Sequence, residues 1–183
     1  MAQQAIQDEW VRCKRDELAV DAGHWFDIDA AERVREFFRR FLKHSKGEWA
    51  GKPFELLDWQ WLEFVGPLYG WKRADGSRRY DKVYCEIAKK NGKSALLSGL
   101  AVYHTIADGE PGAEVYIAAA DRNQASIIYN EAANMVQGSP SLADRIMVGR
   151  ASKRLAYPQS NSILQVLSAD AHRQEGINSS ATF

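Results

Sequence analysis

The sequence predicts a layered α/β domain with a largely parallel sheet, preceded by an all-helical segment. After residue 80, strand-like apolar runs alternate with helix-like runs in the order strand, helix, strand, helix, strands. The strand-like runs carry few internal charges, as expected where helices cover a parallel sheet. Before residue 70 the apolar residues recur at helical spacing. We therefore expect a helical segment over 1–70 and an α/β core over 71–183.

The composition is that of an ordinary globular protein of 183 residues, 45% hydrophobic and 26% charged. The sequence contains no run of about 18 apolar residues, so no transmembrane helix is predicted. The N-terminus lacks a signal-peptide pattern. The cysteines, Cys13 and Cys85, and the four histidines nowhere show metal-ligand spacing, and the histidines are expected to be surface or satisfied residues. Lysine plus arginine total 24, as do aspartate plus glutamate, so a nucleic-acid contact would need a local basic patch.

The N-terminal segment reads as three helices. A polar helix covers 1–20, and a second begins at Asp29 as N-cap, with Glu32 completing a capping box. Apolar residues at helical spacing follow, namely Val34, Phe37, Phe38, Phe41 and Leu42. This stripe with basic flanks suits a nucleic-acid contact or, more commonly, a helix packed on its own domain. A third, apolar helix is expected near 58–69.

A basic turn leads into the core. Asp75-Gly76 is a turn signal. The cations around it are Lys72, Arg73, Arg78, Arg79 and Lys82. A DNA contact and a solvated basic hairpin are both compatible with this cluster.

The core elements are expected in a regular order. They are strand 82–87 with Cys85 as a buried thiol, helix 95–107, strand 114–119, helix 122–136 capped by Asp121, a helical turn within 141–147, strands 152–157 and 162–167, and the start of a strand at Ala181.

The loop Glu86–Ser94, EIAKKNGKS, joins the first strand to the first core helix. It matches the phosphate-binding pattern G-x-x-x-x-G-K-[ST], except that Ile87 replaces the first glycine. Backbone N–H groups and a helix N-terminus would converge there on a polyphosphate. Lys93 would reach the β- and γ-phosphates, and Ser94 would ligate Mg²⁺. The alternative is an ordinary strand-to-helix turn with surface lysines.

Turnover of ATP also needs carboxylates, which usually follow a second apolar strand. No apolar strand here ends in Asp-Glu. Asp170 is separated from its strand by two residues, and Asp121 is better explained as a helix cap. The acidic half of the site is therefore missing from these residues or lies beyond Phe183.

Several stretches together resemble the ATPase domain of the large terminase subunit, the DNA-packaging motor of tailed bacteriophages. They are KGEWAGKPFELLDWQ (46–60), KKNGKS (89–94), DGEPGAEVY (108–116), AAADRNQA (118–125), and the pieces 167–170 and 176–178. The resemblance runs from about residue 25 to the end. It implies a P-loop NTPase (RecA/ASCE-like) core that uses ATP and Mg²⁺.

The resemblance also implies residue roles. Gln60 corresponds to the glutamine that reads adenine, and its amide can serve both hydrogen-bonding edges of the base; a helix-surface glutamine is the alternative. Trp59 or Phe54 could stack on the base, or else belong to the core. Lys89 takes the place of a basic residue acting on the γ-phosphate beside Lys93, although lysine lacks the bidentate fork of arginine. The phosphate cradle comprises Ala88, Lys90, Asn91, Gly92, Lys93 and Ser94. Arg122 is a candidate for reaching a neighbouring subunit's nucleotide, or else a surface arginine.

In the family, the metal-binding Asp and catalytic Glu follow the strand that begins here at Ala181. The core is thus expected to be truncated before the acidic strand, and the isolated chain to bind ATP weakly and hydrolyse it poorly. The implied partners are double-stranded DNA, the small terminase subunit and the portal protein. We expect the full-length hydrolase to form a homo-oligomeric ring in the cytoplasm of the bacterial host. No membrane partner is expected. A helicase-like P-loop ATPase and a non-catalytic prophage remnant are the alternatives.

Overall fold

The computed structural model describes residues 2–119, 121–167 and 178–183. The chain forms two compact units. The first unit comprises Met1–Phe37 and Glu55–Glu86, and the second comprises Phe38–Phe54 and Ile87–Phe183. These two compact units do not coincide with the predicted boundary at residue 70. The division into domains 1–70 and 71–183 stays a prediction.

The first unit is mainly helical, with one small antiparallel ladder. Its elements are α1 (Ala2–Trp10), α2 (Lys14–Asp21), β1 (Trp25–Phe26), most of α3 (Ile28–Phe41), a π-helical turn (Gln60–Val65), α4 (Gly66–Gly70) and β2 (Trp71–Lys72). The single helix predicted over 1–20 is wrong, because the chain breaks before α2. Cys13 there has an extended backbone, at φ −151°.

Aromatic rings fill the core of the first unit. Trp10 stacks on Phe26 with centroids 4.3 Å apart, and Trp71 meets Phe26 edge-on at 5.7 Å. Two glycines make room for these rings. A Cβ on Gly66 would lie 2.3 Å from Trp10, and one on Gly70 would lie 2.2 Å from Phe26. Gly70 thus ends α4 at a point where the ring leaves no space for a side chain.

Helix α3 carries the predicted apolar stripe but not the predicted cap. Its cap is Asp27, whose Oδ1 accepts the Ala30 N–H at 2.9 Å, so the expectation for Asp29 is wrong by two residues. Asp29 lies inside the first turn, where a carboxylate still complements the helix dipole. The stripe is buried at Val34, Phe37, Phe38 and Leu42, whereas Phe41 is partly exposed.

The second unit is built on a five-stranded mixed sheet of order β4-β5-β6-β3-β7. The strands are β3 (Glu114–Ile117), β4 (Met147–Gly149), β5 (Arg154–Tyr157), β6 (Ser162–Val166) and β7 (Ala181–Thr182). β3 lies between β6 and β7 and runs parallel to both, but β4, β5 and β6 pair antiparallel. The predicted largely parallel sheet is therefore correct only in part. The short turn over 158–161 can join only antiparallel strands, so the mixed pairing follows from its length.

Helices α5 (Lys93–Ile106), α6 (Arg122–Gln137) and α7 (Pro140–Ala143) belong to the second unit. α5 is buried along most of its length, as its apolar sequence predicts, and it packs against α6, β3 and β6. A Cβ on Gly99 would lie 2.5 Å from the Phe38 ring, so α5 approaches the end of α3 closely. Asp121 caps α6 as predicted, accepting the Asn123 N–H at 3.1 Å.

The strand predicted at 82–87 is absent. These residues have no ladder partners among the described residues, and Tyr84 is 88% exposed. A strand requires a hydrogen-bonded neighbour, which an apolar run by itself cannot supply. Cys85 is accordingly only half-buried, as a free thiol.

The short strand β4 was not predicted, and the helical turn expected within 141–147 ends at Ala143. In the described ranges no helix has the length and apolarity to cross a membrane.

Candidate functional site

The loop before α5 contains two residues with a positive φ. Lys90 and Gly92 both adopt left-handed conformations, with φ of 70° and 75°. Gly92 is the N-cap of α5, and its carbonyl accepts the first helical bond, from Leu96 N–H at 2.9 Å. The N–H groups of the first turn therefore have no intrahelical acceptor. An alternation of left- and right-handed residues turns successive N–H groups toward one point, as in a nest.

The side chains of the loop face solvent. Ala88 and every residue from Lys89 to Ser94 are exposed, and Asn91 Nδ2 closes the turn by donating to the Ala88 carbonyl at 3.3 Å. In the part of the chain that the structure describes, no carboxylate lies within ion-pair distance of Lys89, Lys90 or Lys93. The loop therefore places three exposed ammonium groups beside the first-turn N–H groups of α5, the kind of surroundings that anions prefer.

The position of the loop in the fold agrees with the rule for ligand sites in α/β sheets. α5 reaches β3 through the turn at 107–113, so its amino end and the carboxyl end of β3 lie at the same edge of the sheet. The start of α6 and the carboxyl end of β7 share this edge. The side chain of Arg122 lies outside the described residues, as do Asp170, which was set aside as a site carboxylate, and Gly176 of the last matching piece.

Gln60 is not on the helix surface, and that alternative is wrong. It is 1% exposed, and its Oε1 accepts the Leu57 N–H at 3.0 Å, before the π-helical turn in the first unit. Phe54, considered for stacking on a base, is instead buried in the second unit, 5.1 Å from Phe38 and 4.5 Å from His44 between centroids. Trp59 is half-buried.

Ser98 connects the first turn of α5 to α6, a contact that the sequence did not predict. Its Oγ lies within 2.7 Å of the Ser94 carbonyl and 2.9 Å of the Ile128 carbonyl. These contacts tie the first turn of α5, which carries Ser94, to α6. A serine one turn after Ser94 in an otherwise apolar helix was the available signal.

The far end of α5 carries a buried polar pair. His104 Nδ1 lies 2.9 Å from Asp108 Oδ2, and both side chains are at most 12% exposed. The expectation that the histidines are surface or satisfied residues is confirmed for His104. His24 departs from it, since its Nδ1 is buried with no hydrogen-bond partner in the described structure.

The basic turn after β2 is partly structural. Arg79 Nη1 pairs with Asp16 Oδ1 at 2.8 Å, and both side chains are nearly buried. Asp75 accepts the Ser77 N–H at 2.9 Å and forms the predicted turn. Arg79 is thus used to hold the first unit together, while the DNA contact considered for this cluster stays a prediction.

Two clefts of the second unit lie away from the loop. One, of about 300 Å³, is lined by the end of α5 and residues 157–160, and the other, of about 340 Å³, by residues 43–51 and the end of α6. Within the described residues, no group of three or more His, Cys, Asp or Glu side chains could hold a metal ion.

Comparison with known proteins identifies the family. Residues 58–182 match the family described as terminase large subunit, ATPase domain. The chain is 28% identical over 148 residues to the terminase large subunit of Enterobacteria phage HK97, covering 80% of this chain and 28% of that protein. The crystal structure of the HK97 bacteriophage large terminase is similar with a TM-score of 0.64 and 28% identity, over 76% of this chain and 27% of the other. The chain thus spans little more than a quarter of these relatives' length. It belongs to the family of terminase large subunit ATPase domains.

Proposed function

We propose that this chain is the ATP-binding part of a phage terminase large subunit, whose ATP hydrolysis drives packaging of double-stranded DNA into proheads. The observation that carries this proposal is the exposed loop before α5, with left-handed Lys90 and Gly92 and lysines unpaired in the described structure, in a chain of this family. We further propose that the loop acts as a P-loop in a RecA/ASCE-like core.

The loop residues take distinct roles in this proposal. The N–H groups from Ala88 to Ser94 cradle the phosphates, and the Lys93 ammonium lies beside the β- and γ-phosphates. The Ser94 hydroxyl ligates Mg²⁺, which when bound neutralises charge on the phosphate oxygens. Lys89 supplies a further point charge. The exposure of all these side chains and the first-turn N–H groups of α5 fit this ligand.

Gln60 is proposed to recognise adenine. Its Oε1 already accepts one hydrogen bond from Leu57. A carbonyl oxygen has two lone pairs, so the same atom could also accept the adenine amine while Nε2 donates to the ring, once the groups that cover this 1% exposed side chain move aside. The existing hydrogen bond then serves to orient the amide.

The partners are proposed from family membership. They are double-stranded DNA, the small terminase subunit, the portal protein and further copies of the full-length chain in a ring. The place of action is proposed to be the cytoplasm of the bacterial host.

A nucleotide titration followed by thermal unfolding tests the site. ATP with Mg²⁺ should raise the melting temperature of the chain in proportion to RT ln(1 + [L]/Kd). Lys93→Ala should remove most of this increase. AMP should raise the melting temperature little, because it lacks the β- and γ-phosphates that Lys93 would contact. Lys82→Ala, an exposed lysine of the first unit, is the matched control and should respond like the parent chain. An unchanged melting temperature with ATP-Mg²⁺, or an equal response in Lys93→Ala, would refute the proposed site.

A further inference from the structure

The segment from Lys43 to Pro53, hereafter the basic loop, is closed by its own backbone. Lys43 and Pro53 form an antiparallel bridge. Inside it, His44 N–H donates to the Lys52 carbonyl at 3.0 Å, and Gly51 N–H donates to the His44 carbonyl at 2.8 Å. A 3₁₀ turn, Gly47–Trp49, forms its tip. These bonds give the loop a defined shape although its tip is exposed.

The basic loop is anchored on α6 through Glu131. This carboxylate is 8% exposed, accepts the Ser45 hydroxyl at 2.5 Å and pairs with Lys46 at 3.2 Å. Its charge is therefore balanced at the base of the loop. The anchor sets the loop beside the carboxyl end of α6 within the second unit.

A cleft of about 340 Å³ separates the loop from α6. Its lining is Lys43, His44, Ser45, Gly51, Asn134, Gln137 and Gly138. Arg150 reaches the same place, donating to Asn134 Oδ1 at 2.8 Å and to Gln137 Oε1. Burial lowers the pKa of His44 despite the opposing effect of Glu131, so the imidazole adds no charge near pH 7. Lys43 and Arg150 supply the positive charge at the cleft.

The cations continue onto the loop tip. Lys52 Nζ lies 4.5 Å from the centroid of the Trp49 ring, which is 56% exposed. The ring holds the ammonium group in place by a cation–π contact. Between residues 39 and 52 the only acidic residue is Glu48, in a chain whose overall charge is zero. Positive charge is thus concentrated on this surface.

The side-chain types favour a nucleic-acid backbone over a protein partner. Lysine, arginine, serine, asparagine and glutamine are the donors that contact phosphate oxygens in protein–DNA interfaces. A stable protein interface needs an apolar centre, and the cleft lining contains no aliphatic side chain and no aromatic one besides the His44 imidazole. We propose that the basic loop, the cleft and Arg150 form a contact surface for the phosphate backbone of double-stranded DNA. The choice of a duplex rests on the proposed packaging function.

Binding of a fluorescently labelled duplex to the 183-residue chain, measured by anisotropy between about 50 and 200 mM salt, tests this surface. Lys43→Gln/Lys52→Gln should weaken binding several-fold and reduce the slope of log K against log salt by about 2, one unit per phosphate contact. Arg150→Gln should reduce the slope by about 1. Lys14→Gln/Arg15→Gln removes the same charge from exposed positions of the first unit, outside the basic turn around Asp75, and should leave the slope unchanged. Circular dichroism confirms that each variant is folded.

Three outcomes would refute the proposed DNA-contact surface. They are no duplex binding by the parent chain, an equal slope change in the control variant, and a loss of polyglutamate binding by Lys43→Gln/Lys52→Gln that equals its loss of DNA binding. The ATP-Mg²⁺ melting response of Lys43→Gln/Lys52→Gln should equal that of the parent chain. Loss of DNA binding with an intact nucleotide response separates this surface from the nucleotide site. Conversely, Lys93→Ala should retain the salt slope even if it loses the response to nucleotide.

Discussion

Asp16 shows how a single carboxylate organises the first unit. Burial raises the pKa of this carboxyl, but hydrogen bonds from Arg79, the Arg12 N–H and Cys13 outweigh burial, and the pKa lies below its usual 3.8. The Arg79 guanidinium also lies 4.9 Å from the Trp71 ring centroid. The pair therefore joins the start of α2 to the strand that follows α4. Sequence inspection placed Arg79 in a basic turn but had no means of finding its partner, which is 63 positions away.

The Asp16→Asn substitution should cost roughly 3 kcal/mol of unfolding free energy at pH 7, because it leaves the nearly buried Arg79 without a counter-charge. The folded pKa is depressed, so the stabilisation by Asp16 is complete above the unfolded pKa near 4 and is lost as pH falls through the folded value. Urea unfolding from pH 7 downwards should show the two proteins converging below about pH 4.

The exposed Asp8→Asn substitution is the control, and it should stay within about 0.5 kcal/mol of the parent. An Asp16→Asn deficit that persists undiminished at acid pH would show that packing, rather than charge, causes the loss.

The elements that could be predicted from the sequence are those set by local pattern. α5, α6 and the Asp121 cap follow from apolar spacing and cap chemistry, and the structure confirms them. The strand at 82–87 is wrong because an apolar run does not reveal whether a neighbouring backbone is present. The Gly-Lys-Ser loop was recognised from its motif, but its left-handed Lys90 was not, since lysine has no preference for that conformation. The buried state of Gln60 was missed because it depends on packing around the π-helical turn.

At the level of elements, the contact of α5 with the end of α3 depends on Gly99. Gly99→Ala gains up to about 1 kcal/mol of helix propensity. The added methyl would lie 2.5 Å from the Phe38 ring and 2.9 Å from Leu42, and such overpacking costs about 1–3 kcal/mol. We expect Gly99→Ala to lower the free energy of unfolding. Urea unfolding should show a lower midpoint with an unchanged dependence of that free energy on urea concentration.

Gly138→Ala is the comparison, because Gly138 has an ordinary φ of −76° and its nearest neighbour would be 3.2 Å away. It should cost less than Gly99→Ala. Stabilisation by Gly99→Ala would mean that the Phe38 ring moves aside freely, against the close packing of α5 on α3.

The whole molecule combines a balanced charge with locally segregated cations. Its net charge is zero at pH 7, with an isoelectric point near 6.9. Among the described residues, the lysines of the loop before α5 have no ion-pair partner, and they lie at the start of α5, whereas the basic loop lies beside the end of α6. Overall charge therefore gives no long-range attraction for an anion, and the proposed recognition of phosphate would depend on these local surfaces.

This balance predicts a solubility minimum near pH 7, because proteins without net charge repel one another least. Turbidity of the concentrated chain should peak there and fall on both sides. The Lys43→Gln/Lys52→Gln variant should move the peak to lower pH, by removing two positive charges. A peak that stays in place, or none between about pH 6 and 8, would indicate that association is governed by exposed apolar groups instead.

The mixed sheet of the second unit also sets an order of assembly. β5 and β6 are joined by a short turn, whereas pairing of β3 with β6 and β7 brings together residues 49 and 66 positions apart, as in Ala113 with Ser162 and Glu114 with Ser180. Closing a long loop costs entropy before any contact is gained, so local hairpins form faster than distant parallel pairs. The β4–β5–β6 meander is thus expected to act as the template onto which β3, and then β7, add during folding. The side of the sheet formed by β7 would be the last to become ordered.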